Sequence, residues 1–243
     1  MDLKEESALK GDLETHWYYV SKGRALQKML DQNAVETVLD VGAGSGVFPK
    51  AFIKDGFCKS AICVDPNYSD DWLSKNQHDQ IQFVRSVERV DAPLVTMIDV
   101  LEHVDDDVEL LSYYVERAAT GTTFLLSVPA FQYLWSSHDE FLDHRRRYTL
   151  KMLRNTAERA GLKPQKMRYF FGALFPVAAA SRLADRLVSG NKEPESSALG
   201  SLPNPINQAL IRIHDVERVV MFPWNRLFGV SAFCVAEKTV DRN

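Results

Sequence analysis

A glycine-rich loop is the first part of the sequence whose residue types and spacing could bind a ligand. In residues 40–46 (DVGAGSG), Gly42, Gly44 and Gly46 occupy alternate positions between an apolar segment and a segment with helical periodicity. Glycine allows a tight turn there and lets a ligand approach the backbone closely. The sequence therefore predicts a ligand-binding loop between a strand and a helix.

Asp65 is a second candidate for binding the same ligand. It lies 19 residues after Gly46, at the end of the next apolar segment, where a carboxylate can accept two hydrogen bonds from a ribose diol. This feature alone does not separate a nicotinamide cofactor from an adenosyl cofactor. Nicotinamide loops follow G-x-G-x-x-G, whereas Val47 stands where this loop would need its third glycine. The glycine spacing therefore favours an adenosyl cofactor.

Three histidines are candidates for catalysis: His103, His138 and His144. Each falls on a loop that we expect at the carboxyl edge of a sheet, where open α/β sheets bind ligands. Imidazole titrates near neutral pH, so it suits the removal of a proton from a substrate hydroxyl. The alternative interpretation is that these histidines only shape their loops.

Clusters of charged residues lead to two further expectations. One cluster consists of Arg145, Arg146 and Arg147. It forms either a solvated basic turn or a binding site for an anionic group, since the geometry of guanidinium matches phosphate and carboxylate. No group of His, Asp and Glu residues has the spacing of metal ligands along the chain. We therefore expect no metal site.

The elements that would position these loops alternate between strands and helices. Seven segments are predicted as strands: 35–41, 60–65, 81–85, 94–99, 122–128, 166–171 and 231–237. Apolar spacing predicts a helix after the acidic residues 105–107, and another with Thr149 as N-cap and Gly161 as the stop. Nearly continuous apolar runs are typical of strands buried on both faces. We expect an α/β fold with helices on both faces of a mostly parallel sheet.

The composition excludes several classes of protein. The 243 residues carry a formal net charge of −4 and are 45% hydrophobic and 26% charged, which is ordinary for a soluble globular chain and argues against nucleic-acid binding through bulk charge. Three cysteines without a C-x-x-C pair predict no disulfide framework and fit a reducing cytoplasm. The N-terminus has no apolar core of a signal peptide, and the uncharged run 169–181 is too short to span a membrane. We expect a cytoplasmic protein.

Residues 35–130 resemble class I S-adenosylmethionine (SAM)-dependent methyltransferases. The run VLDVGAGSG is similar to the first motif of that family, and AICVDP is similar to its acidic second strand end. The run DVLEHV (99–104) resembles the segment after the fourth strand in many small-molecule members. The resemblance implies SAM as cofactor and a Rossmann-like seven-stranded sheet with order 3-2-1-4-5-7-6, in which strand 7 is antiparallel.

The resemblance also implies which residues contact the cofactor. They are Asp40, Gly42, Ala43 and Gly44 at the methionine end, Asp65 and Pro66 at the ribose, Ser86, Val87 and Glu88 beside the adenine, and Asp99 and Val100 near the sulfonium. The segment HWYYVSKGRAL (16–26) is similar to the H-W-W-F-x-x-R-R opening of a bacterial subgroup, which adds Tyr18. Because Lys22 and Gly23 stand where that opening has arginine, Arg24 becomes the candidate contact for the cofactor carboxylate.

The subgroup is one often linked to glycan or lipid-linked sugar pathways, and residues 128–162 and the C-terminus resemble it more faintly. We expect methyl transfer to a small-molecule, lipid-linked or sugar-linked acceptor, with oxygen favoured over nitrogen or carbon. The alternatives are C-methylation of a quinone-like ring, a non-catalytic SAM-binding protein whose acceptor pocket above Asp99 is closed or absent, and an NAD-dependent oxidoreductase.

We divide the chain into four segments. They are an N-terminal helical cap (1–34), a SAM-binding core (35–168), a helical insertion (169–226), and a final strand with its tail (227–243). The insertion combines an apolar run, a Gly/Pro/Ser-rich loop and a helix, in which one face carries Ile206, Ala209, Ile213, Val216 and Val220. We expect it to act as a lid or acceptor cap, or else as a dimer interface. Monomer, homodimer and peripheral membrane contact stay open.

Overall fold

A mixed seven-stranded sheet runs through the protein, which we describe from a computed structural model. The structure describes residues 13–31, 34–188, 200 and 202–239, with only the backbone for 185–188. Its strands are β1 (Val35–Val41), β2 (Cys58–Val64), β3 (Ile81–Val84), β4 (Leu94–Ile98), β5 (Thr123–Pro129), β6 (Leu162–Phe170) and β7 (Ser231–Lys238). Its helices are α1 (Trp17–Met29), α2 (Val47–Lys54), α3 (Asp70–Asn76), α4 (Asp107–Arg117), α5 (Ser137–Phe141), α6 (Leu150–Arg159), α7 (Phe175–Val188) and α8 (Asn204–Val220). Two short 3-10 turns span Leu101–His103 and Gln132–Leu134.

The strand order is β3-β2-β1-β4-β5-β7-β6, as the family resemblance implied. Strand β7 pairs antiparallel with β5 and β6, and every other pairing is parallel. The carboxyl ends of β1 to β6 therefore lie at one edge of the sheet, together with the start of β7. This edge carries the loops that the sequence singled out.

The predicted strand bounds are correct within two residues, with β6 as the exception. This strand begins at Leu162, four residues before the predicted start, and it continues through Pro164. Proline cannot donate a hydrogen bond to a ladder, but it is tolerated on an edge strand. Strand β6 lies at the edge of the sheet, and its register with β7 is irregular between Pro164 and Lys166.

Helices cover both faces of the sheet. On one face α4 and α6 pack against buried strand residues such as Leu39, Val95 and Phe124. On the other face α1, α2 and α8 pack against residues such as Leu94 and Phe233. Successive strand residues point to opposite faces, so Leu94 and Val95 belong to different cores. All five residues of β4 are buried, as expected for a central strand covered on both sides.

The predicted ends of two helices are confirmed. The Thr149 hydroxyl accepts a hydrogen bond from the Met152 N–H at the start of α6, at 3.2 Å. Gly161 follows that helix with a φ of +87°, a conformation that favours glycine. In the acidic segment before α4, the Asp106 carboxylate accepts a hydrogen bond from the Glu109 N–H at 2.9 Å, so Asp106 caps the helix.

Helix α8 packs through a polar face, which the apolar periodicity did not predict. The buried side chains include Asn207, His214 and Glu217. Asn207 accepts a hydrogen bond from the Trp17 N–H at 2.8 Å, and the His214 ring stacks on the Trp17 ring. The apolar face that the sequence identified is instead exposed at Ile206, Ala209, Ile213, Val216 and Val220. Because hydrogen bonds to α1 fix the polar face, that polar face is the one that lies inward.

Two remaining expectations concern membranes and cysteines. Within the described part of the chain, no helix is both long and apolar enough to cross a membrane. Cys58, Cys63 and Cys234 are all buried free thiols, in line with the expectation of no disulfide framework. The Gly/Pro/Ser-rich loop of the insertion lies mostly at 189–199, outside the described residues.

Candidate active site

The glycine loop follows β1 and packs tightly against the neighbouring loops. Gly42, Gly44 and Gly46 all have positive φ, at +67°, +53° and +71°, in the region that side chains with a Cβ rarely adopt. A Cβ on Gly42 would lie 2.6 Å from a methyl carbon of Val100. The Gly42 and Ala43 N–H groups donate to the Val64 carbonyl at 2.7 and 3.1 Å. The loop is therefore a fixed turn in which glycine is required.

Asp65 is held beside this loop at the end of β2. Its Oδ2 accepts a hydrogen bond from the Gly44 N–H at 3.3 Å, and its Oδ1 accepts one from the Asn67 N–H at 2.9 Å. The Tyr68 hydroxyl donates to the Gly44 carbonyl at 2.6 Å, which ties the two loops together. Each carboxylate oxygen has a further lone pair, so Asp65 can still accept hydrogen bonds from a ribose diol.

Asp40 lies inside the sheet below the loop. Its side chain is buried, and its Oδ1 accepts a hydrogen bond from the Thr96 hydroxyl at 2.5 Å. Burial raises the pKa of Asp40 to about 6, although the bond from Thr96 opposes this shift. The Asp40 side chain therefore links β1 to β4 from a buried position.

The residues expected beside the adenine follow β3 at the same sheet edge. Ser86 and Glu88 are exposed, and Val87 is partly buried against the core that also contacts Val100. Pro66, after β2, is exposed. This part of the edge therefore combines an apolar side chain, Val87, with exposed polar side chains.

Lys22 and Asp99 form an ion pair at the end of β4. The Lys22 side chain is fully buried, and its ammonium contacts Asp99 Oδ2 and donates to the Tyr18 hydroxyl at 2.9 Å. Tyr18 in turn donates to Asp99 Oδ2 at 3.3 Å, and the Ser127 hydroxyl donates to Oδ1 at 3.1 Å. Burial raises the pKa of Asp99, but the Lys22 charge and these hydrogen bonds outweigh it and hold the pKa below its usual value.

Arg24 does not join this group. Its guanidinium pairs with Asp215 of α8 at 2.6 Å, and its side chain is 43% exposed. It lies on a groove between α1 and α2, so the expectation that it contacts the cofactor carboxylate is corrected. The cation that α1 brings to the site is Lys22. Tyr18 and Lys22 are four residues apart and so share a helix face, a signal that could have identified Lys22.

Three non-glycine residues with positive φ follow strands whose carboxyl ends lie at this edge. They are Asp99 after β4, Phe131 after β5 and Phe171 after β6, with φ of +54°, +61° and +60°. Such conformations cost free energy in residues with a Cβ, and they cluster at functional sites. The strain therefore marks the same edge as the loop residues do.

A cavity of about 170 Å³ lies above Asp99. Its lining includes Tyr18, Asp99, Glu102, His103, His138 and His144. The structure thus brings together all three histidines that the sequence singled out. Arg182 of α7 also lines the cavity, so the insertion contributes to its wall.

The three histidines differ in their surroundings. Burial lowers the pKa of His138 to about 4, even though Asp139 opposes that shift, so this imidazole is neutral near pH 7. His144 Nδ1 lies 2.9 Å from Asp139 Oδ1, which leaves Nε2 for other partners. The His103 ring meets the His144 ring edge-on, with centroids 4.8 Å apart.

Asp139 is fixed by Arg147, the last residue of the arginine run. Arg147 is buried, and it donates to Asp139 through Nε at 2.7 Å and through Nη2 at 2.9 Å. Burial raises the pKa of Asp139, but the bonds from His144 and Arg147 outweigh it and hold the pKa well below its usual range. Arg146 donates to the carbonyls of Val104 and Asp105. Arg146 and Arg147 therefore hold the loop together. The Arg145 side chain is 55% exposed beside Asp105, as the solvated alternative predicted.

Glu102 is a site residue that the sequence reasoning did not single out. Its side chain is fully buried, and neither carboxylate oxygen has a hydrogen-bond partner among the described residues. Burial and the nearby Asp99 charge raise its pKa well above the usual value. One ligand atom each from Glu102, His103 and His144 lies within 4.8 Å of the others. Spacing along the chain did not reveal this group, because His144 comes from a different loop.

Comparisons with known proteins support one family. A family model described as a methyltransferase domain matches residues 15–166. A search of curated protein sequences found no match. Among solved structures, the chain is similar to a SAM-dependent methyltransferase from Archaeoglobus fulgidus (18% identity, TM-score 0.55, 97% of this chain and 98% of that one).

Two further structures share the fold. One comes from the Haloferax volcanii complex of the Trm112 methyltransferase activator with a methyltransferase (18% identity, TM-score 0.60, 96% and 94% covered). The other is a geranyl diphosphate methyltransferase in complex with SAM (13% identity, TM-score 0.55, 91% and 86% covered). At these identities the likeness shows the architecture of the chain and not its acceptor.

Proposed function

The chain belongs to the methyltransferase domain family and is a SAM-dependent enzyme, and from this premise we propose that it methylates an oxygen atom of a small-molecule, lipid-linked or sugar-linked acceptor bound above Asp99. The observation that carries the proposal is the cavity itself, in which His144, His103 and Glu102 lie next to Tyr18 and Asp99. A non-catalytic SAM-binding protein would need no such acceptor space.

The residues at the sheet edge fit SAM. The Gly42 turn has no room for a Cβ, Asp65 retains lone pairs for a ribose diol, and the Ser45 hydroxyl is buried in the loop without a hydrogen-bond partner in the described part of the chain. When bound, SAM supplies an activated methyl group on a sulfonium. The alternate glycines and the family assignment together leave no support for the NAD-dependent alternative.

The protein must align the acceptor with that methyl group and must remove the proton of the acceptor hydroxyl. The ion pair with Lys22 and the hydrogen bond from Ser127 hold the Asp99 carboxylate in place. Asp99 thereby forms a fixed part of the cavity wall on the side where we expect the cofactor. Alignment of two reactants removes much of the entropic barrier of a bimolecular displacement.

His144 is the proposed general base. Asp139 holds Nδ1, so the tautomer with a proton on Nδ1 is favoured and Nε2 can accept the proton of an acceptor hydroxyl. The arrangement follows the logic of a base that a buried carboxylate orients. An amine acceptor that binds as a free base needs no such group, which is why we favour oxygen.

The test is a screen of the purified protein with SAM that carries an isotopic label in its methyl group. Hydroxylated, phosphorylated and lipid-linked small molecules serve as acceptors, and mass spectrometry locates the labelled atom. We expect label on oxygen and a loss of about 10²- to 10⁴-fold in kcat for His144→Asn, with His78→Asn, far from the cavity, as control. Label on carbon or nitrogen, or an unchanged kcat in His144→Asn, would contradict the proposal.

A further inference from the structure

We propose that Glu102, His103 and His144 bind a divalent transition-metal ion in the wall of the acceptor cavity. The three residues come from two places in the chain, the 3-10 turn after β4 and the loop after α5. Their ligand atoms already lie within 4.8 Å of one another. Bonds of about 2.0–2.2 Å to a metal place ligand atoms roughly 3–4 Å apart, so small side-chain rotations would complete the set.

The carboxylate of Glu102 is the strongest sign that a cation belongs here. It is fully buried, and both of its oxygens lack hydrogen-bond partners among the residues described. Buried carboxylates are normally paired, hydrogen-bonded or bound to a metal. The two neighbouring acids already have cations, because Lys22 pairs with Asp99 and Arg147 pairs with Asp139. A metal ion would give Glu102 the partner that it lacks.

The surroundings of His144 provide independent support. Histidines that bind metals usually have their second nitrogen held by a carboxylate or a carbonyl, which fixes the ring and the tautomer. Asp139 holds His144 Nδ1 in this way, and Asp139 is itself fixed by Arg147 and by the Ser136 N–H at 2.8 Å. Nε2 is then the nitrogen that can bind the ion.

The donor set indicates which metals fit. Two imidazoles and one carboxylate suit Zn²⁺, Fe²⁺, Mn²⁺ or Co²⁺, whereas Mg²⁺ and Ca²⁺ prefer oxygen ligands throughout. Three protein ligands leave at least one position open, as in catalytic zinc sites. That position would face the cavity, where it could bind the acceptor oxygen and lower the pKa of its proton. An ion on Nε2 would replace His144 as the group that activates the acceptor, because a metal-bound nitrogen cannot accept a proton; the acceptor would then bind as the oxyanion and its proton would pass to water. This last role rests on the proposed methyl transfer to oxygen, whereas metal binding does not.

The experiment measures metal binding directly, without acceptor or turnover. Chelator-treated full-length protein is titrated with Co²⁺, followed by visible d–d absorption, and with Zn²⁺ by calorimetry, both in the presence of S-adenosylhomocysteine. We expect one equivalent of Co²⁺ per chain that Zn²⁺ displaces. Glu102→Gln and His144→Asn should lose this equivalent, and His138→Asn should keep it, because His138 lines the same cavity outside the ligand group.

S-adenosylhomocysteine binding checks the fold of each variant. If Glu102→Gln does not fold, the half-buried His103 provides His103→Asn, which should also lose the metal. The proposal is overturned if the parent protein binds no Co²⁺ or Zn²⁺, or if the folded ligand variants bind these ions as tightly as the parent. A metal-free protein that still methylates oxygen would remove this inference and leave the proposed function intact, because His144 would then act as base without an ion.

Discussion

The fully buried Lys22 side chain of α1 forms an ion pair with Asp99, whose side chain is 22% exposed, at the carboxyl end of β4. The pair connects the N-terminal helix to the edge of the sheet that carries the glycine loop and the cavity. Asp99 also has a φ of +54°, so the surrounding contacts hold it in a conformation that residues with a Cβ rarely adopt. The first prediction tests how much of the fold depends on this pair.

Lys22→Met should lower the free energy of unfolding by about 3 kcal/mol, because removal of one partner leaves the other charge largely buried and unpaired. Urea unfolding measures this difference. The matched control is Arg24→Met on the same helix, since the pair of Arg24 with Asp215 is exposed and such pairs contribute about 0–1 kcal/mol. Equal losses in the two variants would contradict a special role for the buried pair.

Much of this edge could be predicted from the sequence, and the reasons for the misses are physical. The strands followed from apolar runs, which are local in the chain, whereas their order was implied only by the resemblance of the loop motifs to a known family. The group of Glu102, His103 and His144 was missed because the fold joins two loops about 40 residues apart. Lys22 was passed over in favour of Arg24 because it stands where the similar subgroup has arginine, and only the position of Asp99 shows why this lysine is buried.

The orientation of α8 could not be predicted for another reason. Apolar periodicity identifies a stripe on a helix but does not tell which face a neighbour covers. Hydrogen bonds to α1 and to the β6–α7 turn determine which face of α8 lies inward. Glu217 accepts bonds from the N–H groups of Gly172 and Ala173 in this turn, at 2.6 and 3.3 Å. These contacts bury the polar face and leave Ile213 and Val216 exposed.

The role of Asp65 leads to the second prediction. Asp65→Ala should weaken SAM binding by about 1–3 kcal/mol, because the ribose diol and the Gly44 N–H both lose an acceptor. Calorimetry with SAM and with S-adenosylhomocysteine measures the change. Asp70→Ala is the control, because that carboxylate is exposed and pairs with Arg85. An affinity for Asp65→Ala equal to that of the control would show that the ribose does not lie at the end of β2.

The pH dependence of stability provides the third prediction. Burial lowers the pKa of His138 to about 4, from an ordinary value of 6.5. Between these values the unfolded chain binds more protons at this residue than the folded chain, so its contribution to stability falls as the pH falls from 6.5 to 4. As the pH falls over this range, the free energy of unfolding of the parent should therefore decrease by up to about 2 kcal/mol more than that of His138→Asn.

Urea unfolding of both proteins at several pH values gives that difference. Asp40, whose pKa is raised to about 6, titrates in the same range with the opposite sign, but it is present in both proteins and cancels. Parallel stability curves for the parent and His138→Asn would show that His138 is not held neutral by burial.

Arg182 provides the last prediction, which concerns the insertion. This residue lies on α7 and lines the cavity that contains the three histidines, so we propose that it binds the anionic part of a charged acceptor. A charge-assisted hydrogen bond contributes about 1.5–3 kcal/mol. Arg182→Gln should therefore raise KM for an anionic acceptor by roughly 10-fold or more, with little change in kcat and none in SAM affinity. Steady-state kinetics with matched anionic and neutral acceptors from the labelled-SAM screen separates these effects, and Arg212→Gln, on an exposed position of α8, is the control. An equal rise in KM for the neutral acceptor in Arg182→Gln would show that Arg182 only supports the cavity wall. A loss of SAM affinity in the same variant would show that α7 belongs to the structural core and is not a cap over the acceptor.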